Sequence, residues 1–303
     1  MRIIISGGTG MIGQQLVPEL AALGHEVYVL TRNVADKSNL FVSSVQFAQW
    51  DAISSTGWGH LINKDTVLIN LAGENVANWR WTLTHKRIVL RSRLDATRAM
   101  VEAINQASEK PRALLQASAV GYYGSRGQLA IGEITPAGDG WRAEVCKLWE
   151  AESDPVLDAG VRRVLLRIGI VIDVSGGALP PFLLGALFMG GRLGGGDQWV
   201  PWVHNADVAG AIIHLLNDET VEGAVNVTSP APVTNEEFFQ AIGRVRRWPT
   251  FIPVPAWALQ LALGEMATTV LDSQRVYPAL LQERGYNFRF AHLDDALRHI
   301  LKR

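Results

Sequence analysis

The sequence predicts an α/β fold, a doubly wound and mostly parallel sheet with a smaller C-terminal lobe, on three observations. Short apolar runs alternate with helix-length amphipathic segments through residues 1–172, the pattern of a parallel sheet wrapped by helices. A glycine-rich turn joins the first run to the first helix. Beyond residue 173 the alternation gives way to clusters of Gly, Pro and Trp, which mark a second lobe.

The elements follow in order. Ile3-Ile4-Ile5, residues 27–30, 67–69, 113–115 and 164–166 are apolar without polar alternation, so they read as strands buried on both faces. Residues 11–23, 83–104 and 141–157 place apolar side chains at three- and four-residue steps and read as helices. Residues 190–196 and 249–255 are loop-like. Residues 207–216, as a helix, and 224–227, as a strand, return the chain to the first lobe. The expected division is 1–172 with 205–228 for the sheet domain, and 173–204 with 229–303 for the smaller lobe. A chain of 303 residues is near the size at which one core stops growing, which suits two lobes.

Composition narrows the function classes. Lys and Arg number 28 against 29 Asp and Glu, so no global field draws the chain to polyanions, and nucleic acid is not an expected partner. Cys146 is the only cysteine, which excludes an internal disulfide and a thiolate zinc cluster. The seven histidines are scattered without ligand spacing, so no metal is expected. Met1-Arg2 runs directly into Ile3 with neither a signal-peptide core nor a transit helix, and the expected location is cytoplasmic. The uncharged stretch from Val174 to Gly191 is broken by Gly176, Gly177, Pro180, Pro181, Gly185, Gly190 and Gly191. It therefore reads as buried loop and helix rather than a membrane span.

Residues 6–13 read Ser-Gly-Gly-Thr-Gly-Met-Ile-Gly, between a strand and a helix and followed by a second strand. In that context Gly7, Gly10 and Gly13 allow a tight turn and close approach of backbone to a pyrophosphate. Thr9, Met11 and Ile12 donate to it at the positive end of a helix dipole. This is the dinucleotide-binding turn of a Rossmann fold. At the end of the second strand an NAD site carries Asp or Glu, whereas here Thr31-Arg32 offers a hydroxyl and a planar cation suited to a 2′-phosphate. The expected cofactor is NADP(H).

With that loop, Asn70-Leu71-Ala72-Gly73-Glu74, Ser118-Ala119-Val120-Gly121-Tyr122-Tyr123-Gly124 and Arg167-Ile168-Gly169-Ile170-Val171, the chain resembles the extended short-chain dehydrogenase/reductase superfamily, NAD-dependent epimerase/dehydratase-like. Arg80-Trp81, Ser92-Arg93, Pro180-Pro181-Phe182 and Trp202-Val203-His204 are similar to its atypical epimerase-like subgroup, which has bacterial members and a human homologue. The resemblance runs over essentially the whole chain. It implies that Thr31 and Arg32 contact the adenosine 2′-phosphate, that Leu71 and Ala72 line the cofactor, and that Arg93 and Val171 approach it. Small residues at Leu71-Ala72-Gly73, after a central strand, independently suit a cofactor lying against backbone.

In that superfamily a Ser holds the substrate oxygen, a Tyr moves the proton, and a Lys four residues on lowers a phenol pKa that is ordinarily ~10. Ser118 matches the serine and Lys147 lies on the expected helix, but Ala143 stands where the tyrosine belongs. Tyr122, or its neighbour Tyr123, is the candidate substitute, with Lys147 or Arg93 as cationic neighbour; packing is the competing role. His204 is either a proton-transfer group or a fastening for the next helix. Trp79, Trp81, Trp199 and Trp202 are either an aromatic wall or core. Two functions remain open: an NADP(H)-dependent epimerase-like oxidoreductase acting on a small polar molecule such as a sugar or nucleotide-sugar, or a catalytically silent NADP(H)-binding regulatory or redox-sensing protein.

Overall fold

The triple-isoleucine run forms β1 (Arg2–Ser6), a central strand of a seven-stranded parallel sheet in the computed structural model, which describes residues 1–37, 40–76, 80–187 and 190–301. Ile3 and Ile5 enter the layer built by α1 (Met11–Ala22) and the helix Asn205–Asn217. Ile4, one residue out of phase, enters the layer built by α2 (Leu83–Gln106). A strand alternates its side chains between two faces, so three consecutive isoleucines serve two cores at once.

From β1 the chain winds outward through β2 (Glu26–Thr31) to β3 (Val45–Gln49). It then returns to the other side of β1 with β4 (Thr66–Asn70) and continues through β5 (Ala113–Ala119). After the short β6 (Ala130–Ile131) and α3 (Trp141–Ala151) come β7 (Arg162–Ile168) and finally the strand Gly223–Val227 at the far edge. The order reverses between β1 and β4, the switch point at which doubly wound sheets open a crevice at their carboxyl ends. β3 is absent from the apolar runs because it is an edge strand that buries Val45, half-buries Phe47 and Ala48, and exposes Gln46 and Gln49. The helix expected over residues 141–157 is two pieces, α3 and Pro155–Asp158, because Pro155 has no N–H to continue α3 and instead opens the next turn.

β8 (Ile170–Asp173) leaves the large sheet and joins Trp202–His204 and Gly176–Gly177 in a small one. Its apolar partners come from the helices Leu179–Leu187, Asn235–Arg246 and Leu293–Leu301. The C-terminal segment is shared between lobes: Leu280, Leu281, Tyr286 and Phe288 pack into the β1 core, and Arg275–Val276 pairs with β6. Among the described residues no helix is long and apolar enough to cross a membrane.

The carboxyl ends of the central strands are joined by buried polar side chains. Ser6 Oγ donates to Asn70 Oδ1 at 2.5 Å, and Asn70 Nδ2 donates to Gln116 Oε1 at 2.9 Å and to Thr97 Oγ1 at 3.3 Å. Asn70 Oδ1 also accepts from the Ala72 N–H, which fixes the turn after β4. We predict that Asn70→Ala, by orphaning these buried partners, lowers stability by about 1–3 kcal/mol in urea unfolding. An unchanged unfolding midpoint would show that water replaces the side chain at no cost.

Candidate functional site

The glycine loop is closed by contacts that leave no room for side chains. Gly7 has φ +68°, and a Cβ there would stand 2.7 Å from the Leu71 carbonyl carbon and oxygen; one on Gly13 would stand 2.3 Å from the Gly8 carbonyl oxygen. The loop is thus pressed between the end of β4 and the first turn of α1. The Gly10 N–H donates to the Gly7 oxygen at 3.0 Å, and the Thr9 carbonyl accepts from Gln14 Nε2 at 2.9 Å. Gly10 caps α1 with no side-chain bond, so the N–H groups of Met11, Ile12 and Gly13 face the loop mouth, where an anion is stabilised by donors and dipole together. A cradle that a Cβ would fill, open at a helix N-terminus, fits a pyrophosphate.

Thr31 is buried at the end of β2, and its Oγ1 accepts from the Asn33 N–H at 3.3 Å. Arg32 follows it on the surface, its carbonyl held by Gln49 Nε2 at 2.7 Å, and its guanidinium forms no ion pair among the described residues. Leu71 and Ala72 are half-buried where β4 ends, and Gly73 is exposed beside them. Arg93 lies over Gly73: a Cβ there would be 3.3 Å from its Cζ and Nη1. Arg93 Nη1 donates to the carbonyls of Glu74 and Val89, each at 3.0 Å, and its guanidinium covers the Trp149 ring at 4.9 Å. Burial lowers its pKa from the usual arginine value. Val171 reaches the loop through Met11, whose Cε would be 3.3 Å from a Cβ on Gly177, which itself abuts the Val171 carbonyl.

Of the residues considered for proton transfer, Ser118, Tyr122 and Tyr123 share one cluster around Arg167, and Lys147 lies outside it. Ser118 is 3% exposed, and its Oγ donates to Glu150 Oε1 at 2.6 Å. Glu150 in turn receives Nε and Nη2 of Arg167, each at 2.9 Å, in a buried two-pronged ion pair. The Arg167 guanidinium lies 3.5 Å from the centre of the half-buried Tyr122 ring and donates to Tyr123 Oη at 3.0 Å. Tyr123 Oη donates to Asn226 Oδ1 at 2.7 Å, and burial pushes this phenol up to about 12. Lys147 is on the outward side of α3, paired with Glu144 at 2.5 Å, and Ala143 is fully buried.

The face of α3 that meets the site is therefore Arg142, Cys146 and Glu150, at helical steps of four, none of which sequence reasoning singled out as functional. A Cβ on Gly121 would meet Arg142 Cβ at 3.4 Å and Cys146 Sγ at 3.6 Å. Burial pushes the Cys146 thiol up to about 11, against the opposing pull of the nearby Arg93 and Arg142 guanidinia. Arg142 Nη2 contacts Asp272 and the Thr268 carbonyl, 130 and 126 residues away. A carboxylate at Glu150, on an otherwise inward-facing helical stripe, is the one sequence signal that could have found this face.

His204 is a fastening: Nδ1 accepts from the Ala206 N–H at 2.9 Å, capping the helix Asn205–Asn217, and the ring stacks on Phe290 at 4.0 Å. Among the described residues, Trp81, Trp199 and Trp202 do not form one wall. Trp202 is fully buried, Trp81 packs on Trp141, Trp199 lies against Arg275, and Trp79 is outside the described residues. Among the described residues no group of three or more His, Cys, Asp or Glu could hold a metal.

The profile of the NAD dependent epimerase/dehydratase family matches residues 3–140, and that of a domain of unknown function (DUF1731) matches residues 254–300. The chain is 36% identical to the chloroplastic epimerase family protein SDR39U1 homolog of Arabidopsis thaliana, over 100% of this chain and 87% of that protein. It is 35% identical to the epimerase family protein YfhF of Bacillus subtilis, over 99% and 98%. The crystal structure of the human epimerase family protein SDR39U1 (isoform 2) with NADPH superposes with a TM-score of 0.87 at 33% identity, covering 100% of this chain and 99% of that one.

Removing one member of the buried Glu150–Arg167 pair leaves the other charge uncompensated. Arg167→Met is expected to cost about 3–5 kcal/mol in equilibrium unfolding. The double variant Arg167→Met with Glu150→Leu should recover much of that loss. Additive losses in the two singles would mean that the charges are not coupled.

Proposed function

The chain belongs to the NAD dependent epimerase/dehydratase family, and on that premise we propose that it is an NADP(H)-binding, epimerase-like oxidoreductase acting on a small polar molecule such as a sugar or nucleotide-sugar. The observation that carries the cofactor choice is Arg32. It is exposed just past β2, unpaired among the described residues, where an NAD site would carry a carboxylate. The human relative's structure with NADPH supports the same choice.

In this reading Gly7, Thr9, Gly10, Met11, Ile12 and Gly13 would hold the pyrophosphate, and Thr31 and Arg32 would hold the 2′-phosphate. Leu71, Ala72, Gly73, Arg93 and Val171 follow the cofactor toward its nicotinamide end. Bound there, the nicotinamide supplies hydride transfer. The protein's own contribution is orientation and proton handling: Tyr122 is the half-buried phenol of the turn after β5, Lys147 adds positive charge from the outer side of α3, and Ser118 is held in one orientation by Glu150. A catalytically silent, NADP(H)-responsive protein is the second reading. It is favoured by two observations: the Ser118 hydroxyl proton is already given to Glu150, and no tyrosine occupies position 143.

Binding of NADPH and NADH, followed by nicotinamide fluorescence, tests the cofactor. Arg32→Glu is expected to weaken NADPH by about tenfold or more while leaving NADH nearly unchanged, since a single charge-assisted phosphate contact is lost and a repulsion added. Equal losses for both would remove Arg32 from the site. NADPH consumption against carbonyl compounds and sugar nucleotides then separates the two readings: tight binding without turnover supports the silent one.

A further inference from the structure

Two stretches free of charge, residues 174–191 and 248–264, meet in the smaller lobe. The strand Gly190–Leu193 pairs in parallel with Ile252–Val254, with Gly190 opposite Ile252, and a Cβ on Gly190 would stand 2.6 Å from the Gly185 carbonyl oxygen. The end of the helix Leu179–Leu187 is thereby held against that strand pair. This helix buries Leu179, Phe182 and Ala186 but leaves Leu184 and Leu187 exposed. Phe251 is 70% exposed, and Ile252 is exposed beside it. Four residues on, the helix Ala256–Leu263 is apolar except for Gln260 yet contributes no buried side chain. Its Trp257 and Leu261, four apart on one face, are 68% and 74% exposed. A helix apolar on all sides belongs inside a protein or against an apolar phase. Six large apolar side chains on joined elements, without a charge among them, also differ from the single exposed leucines of an ordinary surface.

The chemistry around these side chains identifies what they meet. Pro253 and Pro255 have no N–H to offer a further strand, so the edge is closed to sheet extension. Thr250 and Gln260 are the only hydrogen-bonding side chains between Phe251 and its neighbours up to Leu263, apart from the indole of Trp257, whereas a protein partner is met by roughly one hydrogen bond per 100–200 Å². Charge enters at one border and is positive. Arg246 and Arg247 are exposed immediately before the apolar stretch and form no ion pair among the described residues, and the Arg246 guanidinium covers the Trp248 ring at 4.8 Å. The carboxylates flanking the two stretches are engaged: Glu236 lies 3.6 Å from Arg192, and Glu265 pairs with Lys86. Exposed Trp, Phe, Leu and Ile beside unpaired arginines suit the boundary of an anionic bilayer, with the apolar groups among acyl chains and the cations at the headgroups. We infer that this face of the smaller lobe docks on an anionic lipid surface. The helix Ala256–Leu263 has eight residues and is about 12 Å long, so it lies on the bilayer rather than crossing it. Arg80 Nη2 donates to the Leu261 carbonyl at 2.5 Å and Lys86 holds Glu265, which ties the docked face to the start of α2 and so to the sheet domain.

Co-flotation of the purified full chain with lipid vesicles tests this. Vesicles of one part phosphatidylglycerol to two parts phosphatidylcholine should carry the protein to the top of the gradient, and phosphatidylcholine alone should bind it about tenfold more weakly. Arg246→Gln combined with Arg247→Gln should lower binding to the anionic vesicles by about tenfold, to the neutral level, and raised salt should act in the same direction. Trp257→Glu combined with Leu261→Glu should weaken binding to both vesicle types by about tenfold or more, because two side chains that enter the acyl boundary become charged. All four positions are exposed, so the urea unfolding midpoints should match the wild type; Trp257→Ser, which adds no charge, should still weaken binding by about fivefold and serves if the double variant does not fold. Absence of wild-type co-flotation with anionic vesicles, or undiminished binding in the tryptophan variants, overturns the inference. So does a concentration-dependent dimer in light scattering that Trp257→Glu dissolves, since it gives the face to a second copy of the chain. None of these outcomes depends on the cofactor, so they leave the proposed function to its own test.

Discussion

Arg167 carries a charge into the interior of the sheet, and much of the site is arranged around satisfying it. A guanidinium withdrawn from water must be met by a well-placed anion and by acceptors for its remaining donors. Glu150 supplies the anion from α3, Tyr123 and the Glu133 carbonyl accept two further bonds, and the Tyr122 ring covers the cation's face. Through these partners one side chain fixes the distance between β7 and α3, the turn after β5 and, by way of Asn226, the edge strand Gly223–Val227. Ser118 is drawn into the same cluster, so its orientation is set by electrostatics around Arg167 before any ligand arrives.

The crevice side of the sheet follows a different rule. There the ends of β1, β4 and β5 are tied by neutral amides and hydroxyls, Ser6, Asn70, Thr97 and Gln116, which hold backbone in place without adding charge. Positive charge stands at the margins, at the exposed Arg32 after β2 and at Arg93 over Gly73. The floor gives shape, and the rim gives sign.

What could be read in the sequence was what local physics dictates. Three isoleucines in a row must bury on both faces, the glycine loop needs the left-handed conformation at Gly7, and Thr31-Arg32 follows its strand directly, so each was legible from neighbours within a few positions. The inward face of α3 was not legible. Spacing drew attention to Ala143 and Lys147, yet the rotation of a helix about its axis is decided by what it packs against, and the partners of Arg142 and Glu150 come from Asp272 and Arg167, far along the chain. β3 escaped notice because an edge strand needs only half its side chains buried. His204 and Trp202 were each open to two roles in the sequence, and the cap bond of one and the full burial of the other come only from the tertiary surroundings.

Asn205 joins these parts in a further way. Its Nδ2 donates both to the Met11 carbonyl, at the start of the cofactor-loop helix, and to Asp173 at the end of β8, each at 3.1 Å. A single amide thus spans the boundary between the large sheet and the small one. Thermodynamic linkage makes such a bridge reciprocal: a ligand that prefers one setting of the glycine loop favours the matching setting of β8 by the same free energy, and the converse holds.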